Sequence, residues 1–233
     1  MLRLENATVS YGKRMVLENL GLVLVPGQVA ALIGANAAGK TTTLRCAAGL
    51  IPLAAGSVWL GQRNIARLST PDRVRAGVVL VPEGRQIFPG MTVQENLVLG
   101  AFTRASGAVA ADLERVFTLF PRVKERRKQR AGTMSGGEQQ MVAIGRGLMA
   151  APLVLLLDEP TLGLAPIIIE EIQHAVRELA AGGMSILIAE QNASFALRCS
   201  DTACILEGGS IRMNGESAQL ARDPKVAATY LGI

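Results

Sequence analysis

Apolar residues along this chain fall into short continuous runs that end abruptly in polar groups. Val29-Ala-Ala-Leu-Ile33 stops at Gly34, Val78-Val-Leu-Val81 at Pro82-Glu83, Leu153-Val-Leu-Leu-Leu157 at Asp158-Glu159, and Ser185-Ile-Leu-Ile-Ala189 at Glu190-Gln191. A strand buried on both faces shows no polar alternation, so these runs predict a parallel sheet. Between the last two, Ile168, Ile172, Val176 and Leu179 recur at helical spacing ahead of Gly182-Gly183, which predicts an amphipathic helix. Alternating β and α elements with polar strand ends predict an α/β fold whose ligands bind at that edge. Lys40 to Ala48 reads as a helix closed by Gly49 and followed by Pro52. Apolar positions at Leu2, Leu4 and Val9, then Leu22 to Val25 and Val58 to Leu60, make the rest of the first third β-rich. Residues 84–150 carry no strand pattern and read as a helical subdomain inserted into a core formed by residues 1–83 and 151–233, all within a single domain. A hairpin of Ala203 to Leu206 and Ser210 to Met213 is expected to turn at Glu207-Gly208-Gly209.

Nearly half of the 233 residues are hydrophobic (49%), enough for a sizeable core and against intrinsic disorder. No run approaches the roughly 20 apolar residues that span a bilayer; Leu148 to Leu157 is interrupted by Pro152 and stopped by Asp158. The opening MLRLENATVSYG lacks an apolar signal core, so no secretory signal is expected. Cys46, Cys199 and Cys204 form no CxxC pair, which fits a reduced setting with inert buried thiols. The net charge of +5 gathers in Arg122, Lys124, Arg126, Arg127, Lys128 and Arg130. With only 3% aromatic residues and none interleaved there, this run reads as a solvated helix end and no nucleic-acid partner is expected. The lone histidine, His174, lies off the apolar stripe of its helix and reads as a surface residue.

Three stretches carry chemistry. Gly34-Ala-Asn-Ala-Ala-Gly39-Lys40-Thr41 has the GxxxxGK[ST] spacing, directly after a buried strand and opening a helix. That context makes it a P-loop rather than an ordinary glycine turn: backbone N–H groups hold phosphate oxygens, Lys40 reaches the β/γ-phosphates and the Thr41 hydroxyl ligates Mg²⁺. Asp158-Glu159, at a strand end, suits one acid orienting the cation and a second polarising an attacking water. Ser135-Gly136-Gly137-Glu138 is a capping box, but a capping box does not explain two consecutive glycines. They would let another chain's phosphate approach the helix N-terminus, with the Ser135 hydroxyl as an added donor.

The P-loop, then Thr133-Met-Ser-Gly-Gly-Glu-Gln-Gln140, then Leu157-Asp-Glu-Pro160, in this order and spacing, resemble the ATP-binding subunits of ABC transporters over essentially the whole chain. Further segments, Val81-Pro-Glu-Gly-Arg85, Ile87-Phe-Pro89, Thr92-Val93, Glu95-Asn-Leu97, Gly163-Leu-Ala-Pro166, Glu190-Gln-Asn-Ala193 and Tyr230-Leu-Gly232, resemble the second ATPase subunit of branched-chain amino-acid importers. The resemblance implies a P-loop (RecA-like) parallel-sheet core with an N-terminal antiparallel β subdomain and an inserted helical subdomain. It implies ATP and Mg²⁺, with nucleotide contacts at Tyr11 (stacking on adenine), Gly34, Asn36, Gly39, Lys40, Thr41 and Thr42. Thr41, Glu83 and Asp158 fall on the metal positions, and Glu159 and Gln191 on the catalytic ones. Ser135, Gly136 and Gly137 would close over ATP held by the opposite subunit.

Four positions depart from the general pattern: Ala37 replaces a loop glycine, Glu83 a glutamine, Gln191 a histidine and Ala165 an aspartate. The last three are familiar in the importer branch. Gln191 can hydrogen-bond a γ-phosphate but cannot take up a proton. The implied partners are a second ATPase subunit, in a heterodimer in preference to a homodimer, two integral membrane permease subunits and, indirectly, a periplasmic or extracellular solute-binding protein. The implied place is the cytoplasmic face of the inner or plasma membrane. Two alternatives stay open: a soluble ABC-type ATPase acting on ribosomes or nucleic acid, and an importer of urea or short-chain amides.

Overall fold

The computed structural model describes residues 1–231; of the Tyr230-Leu-Gly232 stretch, Gly232 lies outside them. Two sheets carry the chain. Strands β1 (Leu2–Tyr11), β2 (Arg14–Leu24), β4 (Ala55–Leu60) and β5 (Arg63–Asn64) make an antiparallel sheet in the order β2-β1-β4-β5. The second has the order β10-β9-β3-β8-β7-β6, from β3 (Val29–Ile33), β6 (Val78–Val81), β7 (Val154–Asp158), β8 (Ser185–Glu190), β9 (Thr202–Glu207) and β10 (Ser210–Glu216). Its β6, β7, β8, β3 and β9 are parallel, and β10 returns antiparallel. Every residue of β3, β7 and β8 is buried, as the continuous apolar runs require.

The α-helices of five or more residues are α1 (Lys40–Ala48), α2 (Thr70–Arg75), α3 (Val93–Leu99), α4 (Ser106–Leu119), α5 (Pro121–Glu125), α6 (Gly136–Leu148), α7 (Pro166–Ala181) and α8 (Ala193–Cys199). Four of them, α3 to α6, fall between β6 and β7 and form the inserted helical layer. Ile168, Ile172 and Val176 of α7 bury against one face of the parallel sheet together with α6. The other face packs on the antiparallel sheet with α1 between them. Among the described residues, no helix is long and apolar enough to cross a membrane.

Two elements differ from the sequence reading. β2 begins at Arg14, well before Leu22, because an irregularity at Asn19 (φ 48°) breaks the strict alternation, so that its buried positions fall at Leu17, Leu20, Leu22 and Leu24. The short helix α8 carries no long apolar stripe of its own. Every basic residue of the run is exposed, as read, with Arg126 pairing with the buried Glu138 at 2.8 Å and Arg122 with Glu171 at 3.3 Å. His174 is exposed, as expected, and burial raises the Cys46, Cys199 and Cys204 thiols to about 11, 12 and 11.

Helix α1, nearly all buried, has its C-terminus closed by a side chain from outside it. Arg73, 3% exposed, donates to the carbonyls of Cys46 (2.7 Å) and Ala47 (2.8 Å) at the end of α1, and to Ala66 (2.9 Å) and Leu68 (3.3 Å). A cation at a helix C-terminus is favourable, and the planar guanidinium reaches four acceptors that an ammonium cannot. Replacing Arg73 by Lys leaves buried carbonyls unpaired, at a cost of about 2–4 kcal/mol. The thermal midpoint of the Arg73→Lys chain should therefore fall by roughly 5–10 °C, read by calorimetry.

Candidate active site at the sheet edge

The parallel register sets the site. Ile33 pairs with Glu190, Asp158 with Ala189 and Val81 with Leu157, so Gly34, Glu190-Gln191, Asp158-Glu159 and Pro82-Glu83 emerge together at one edge. From β3 the chain turns through residues 34–39 into α1. Gly39 sits at φ 112°, open only to glycine at no steric cost. A Cβ on Gly34 would lie 2.4 Å from the Leu206 carbonyl oxygen, so this position too admits only glycine. No acidic residue occupies the first turn of α1, leaving its N–H groups and dipole to an anion.

Lys40 is buried and folds back on its own loop, donating to the carbonyls of Gly34 (2.7 Å) and Ala35 (3.2 Å) and pairing with Glu159 at 3.0 Å. The Glu159 carboxylate also accepts from the Gln191 backbone N–H at 3.2 Å. Thr41 donates its hydroxyl to Asp158 Oδ1 at 3.0 Å. The other oxygen, Asp158 Oδ2, is buried with no partner. Burial pushes the Asp158 carboxyl up to about 6, the Thr41 bond pulling against this and the charges of Glu83 and Glu159 adding to it. A buried carboxylate oxygen without a donor, beside a hydroxyl and near a second acid, suits a hard divalent cation. Among the described residues no three His, Cys, Asp or Glu side chains could hold a metal by themselves. A cation here would share its shell with phosphate oxygens.

The remaining expected positions are dispersed around this cluster. Asn36 and Gln191 are exposed, Gln191 lining a cavity of about 560 Å³ with Gly34 to Ala38 and Tyr230, while Thr42 is buried in α1. Tyr11 is 48% exposed at the end of β1 and borders, with Arg45 of α1, a separate groove. Glu83 is exposed, and its charge reaches Asp158. Ser135, Gly136 and Gly137 stand apart at the start of α6. The capping box forms as read: Ser135 Oγ donates to Glu138 Oε2 at 2.8 Å and accepts from the Glu138 N–H at 3.4 Å. Burial opposes ionisation of Glu138, but the Ser135 hydrogen bonds and Arg126 hold its carboxyl below the usual range.

One signature glycine, Gly137, has a reason within the chain that the sequence did not reveal, whereas the Arg85 tip beside Gly136 is free to swing aside. A Cβ on Gly136 would meet the Arg85 guanidinium at 2.8 Å, and one on Gly137 the Ile168 side chain at 2.8 Å. Non-glycine residues in left-handed backbone cluster at the loops of this edge: Ala37 (φ 64°), Arg85 (64°), Gln86 (45°) and Glu159 (46°). Such strain persists where the surroundings enforce it and gathers at functional sites.

A family model described as ABC transporter matches residues 17–162. The chain belongs to the ABC transporter family. It is 44% identical, over the full length of both chains, to a high-affinity branched-chain amino acid transport ATP-binding protein, BraG, of Pseudomonas aeruginosa. It is 32% identical, over all of this chain and 99% of the other, to a probable branched-chain amino acid transport ATP-binding protein, LivF, of Archaeoglobus fulgidus. It is also 32% identical, over all of this chain and 97% of the other, to the lipopolysaccharide export system ATP-binding protein LptB of Acidithiobacillus ferridurans. Among solved structures, the ADP conformation of an ATP-binding cassette of an ABC transporter superposes with a TM-score of 0.88 at 26% identity, covering 100% of this chain and 99% of that one. This ABC protein is thus the nucleotide-binding, ATP-hydrolysing subunit of a transporter.

Two predictions follow from the site's strain and charge. Left-handed backbone costs Ala37 about 1–2 kcal/mol, and glycine's freedom in the unfolded chain returns about 0.4–1 of that. Ala37→Gly should therefore stabilise the chain by about 0.5–1 kcal/mol in denaturant titration. The raised pKa of Asp158, from 3.8 to about 6, means that the folded chain holds this proton more tightly than the unfolded one. Its contribution to stability therefore falls as pH rises through that window. In the nucleotide-free chain, Asp158→Asn should match wild type near pH 4 and exceed its thermal midpoint by a few degrees above pH 6, followed by calorimetry across pH.

Proposed function

We propose that this ABC ATPase powers the import of branched-chain amino acids, working with a second ATPase subunit and two membrane permease subunits on the cytoplasmic face of the membrane. The 44% identity with BraG over both full chains carries the cargo reading, since LivF and LptB each stand at 32%. Glu83, Ala165 and Gln191 resemble the same importer branch.

The site's geometry supports the following cycle. ATP phosphates enter at the α1 N-terminus, and Lys40 leaves the Gly34 and Ala35 carbonyls for them. Tyr11 stacks on the adenine, and Asn36 and Thr42 complete the loop around the phosphates. Thr41 and Asp158, whose Oδ2 lacks a donor, would hold Mg²⁺, with the charge of Glu83 nearby, and the ion would supply charge neutralisation at the phosphates. Released from Lys40, Glu159 takes the proton of the attacking water as the bond between the γ-phosphorus and the ADP oxygen breaks. Gln191 contacts the γ-phosphate through its amide. Ser135, which is exposed, and the half-buried Gly136 make no hydrogen bond to the P-loop of their own chain among the described residues, which supports a site completed by a second subunit. The groove of about 910 Å³ that Tyr11 and Arg45 border continues between the sheet and the helical layer, where Leu50, Phe88, Leu99 and the 70%-exposed Phe102 line it, and this apolar end suits an amphipathic helix of a permease.

Affinity purification of the chain from gently solubilised native membranes should bring down two polytopic proteins and a different ATPase, with a genetically linked binding protein that takes leucine, isoleucine or valine. A linked lipopolysaccharide-export assembly, an amide or urea binder, or ribosomal proteins would each overturn the cargo reading. In the purified complex, Glu159→Gln should lower ATP turnover by about 10²–10⁴-fold while retaining ATP binding. Gln191→Ala should lower it by roughly tenfold, and unchanged turnover would contradict the γ-phosphate role.

A further inference from the structure

The run Ile186-Leu-Ile-Ala189 is continued not by another apolar residue but by Glu190, whose side chain is 1% exposed. Three donors converge on its carboxylate. Oε1 accepts from the Thr161 N–H (3.0 Å) and the Thr161 hydroxyl (2.6 Å), and Oε2 from the Asn192 N–H (3.3 Å). Thr161, itself 5% exposed, lies two residues after Glu159, and Asn192 lies one after Gln191. The same two loops are tied a second time by the Gln191 N–H on Glu159. The Glu190 backbone carbonyl also accepts from the Gly34 N–H at 3.4 Å, so a single residue touches all three loops of the site. Beyond Thr161 the chain turns outward: Leu162, Gly163, Ala165 and Ile167 are exposed, Leu162 and Ile167 by more than half.

Placing a carboxylate here is costly. Burial raises its pKa, the Thr161 hydrogen bond opposes this, and the nearby charge of Glu159 adds to the rise. A role confined to filling the core would be met more cheaply by an aliphatic residue. A residue that must gather donors from two loops has to be an acceptor with both oxygens free, which an amide does not offer.

We propose that Glu190 is a positioning residue that locks the Glu159 loop to the Gln191 loop through Thr161, so that contact with the γ-phosphate and the placement of the outward segment 162–167 respond as one unit. This rests on the reading of Glu159 and Gln191 given above. The clamp acts on the geometry of hydrolysis more than on ATP binding, most of whose contacts lie on α1, its loop and Tyr11, outside the Glu190–Thr161 pair.

The test is steady-state ATP hydrolysis by the purified complex carrying Thr161→Val, Thr161→Ser or Glu190→Gln, with Glu159→Gln alongside. Thr161→Val, which removes the hydroxyl donor and keeps the shape, should lower kcat by roughly 10–100-fold with KM within about twofold. Thr161→Ser should restore most of the lost kcat. Glu190→Gln should resemble Thr161→Val, and the double variant should be no slower than the slower single one, since both break one unit. An unchanged kcat in Thr161→Val overturns the proposal. So does a joint fall of kcat, ATP affinity and thermal midpoint that Thr161→Ser fails to rescue, because that pattern marks a structural role. Wild-type turnover in Glu159→Gln would instead sink the reading beneath it, whichever way Thr161 behaves.

Discussion

Backbone pairing between β3, β8 and β7 sets Ile33 opposite Glu190 and Asp158 opposite Ala189, and this register is the constraint from which the active edge follows. In a parallel sheet the strand ends on one side all carry chain out in the same sense, so four loops meet there without any having to cross the core. A slip of one residue in β7 would move the carboxylate of Asp158 from the Thr41 hydroxyl to the opposite face.

The site concentrates unfavourable terms that the surrounding packing sustains. Asp158 keeps one oxygen without a donor, Glu159 and Ala37 occupy left-handed backbone, and Lys40 is buried against its own loop's carbonyls. Each of these would be relieved or used when phosphates and a cation arrive. In the ligand-free chain the Lys40–Glu159 ion pair neutralises the carboxylate, and on the function proposed above a phosphate would draw the lysine away from it.

Much of this was legible in the sequence. The uninterrupted runs ending at Gly34, Asp158 and Gln191 identified the parallel strands and the edge, and the P-loop spacing placed Lys40 and Thr41. The capping box around Ser135 read directly because its two hydrogen bonds are local. What could not be read were contacts set by tertiary approach. Arg73 closing α1, Arg85 lying over Gly136 and Ile168 against Gly137 involve residues far apart in the chain, with no periodic signature. Glu190 was visible only as a polar strand end, since its partner Thr161 comes from another strand's loop. The length of β2 is not legible because the irregularity at Asn19 breaks the alternation between Leu17 and Leu20, so only its last apolar positions stand out.

On the function proposed above, one hydrolytic site takes its phosphate loop from one subunit and its signature helix from another. Photo-crosslinking an ATP analogue with a reactive group on its γ-phosphate, followed by peptide mapping on the assembled complex and on the isolated chain, tests this most directly. The account predicts labelling of the 34–41 segment in both samples and of the 135–140 segment only in the assembled complex. Equal labelling of 135–140 in the isolated monomer would contradict it.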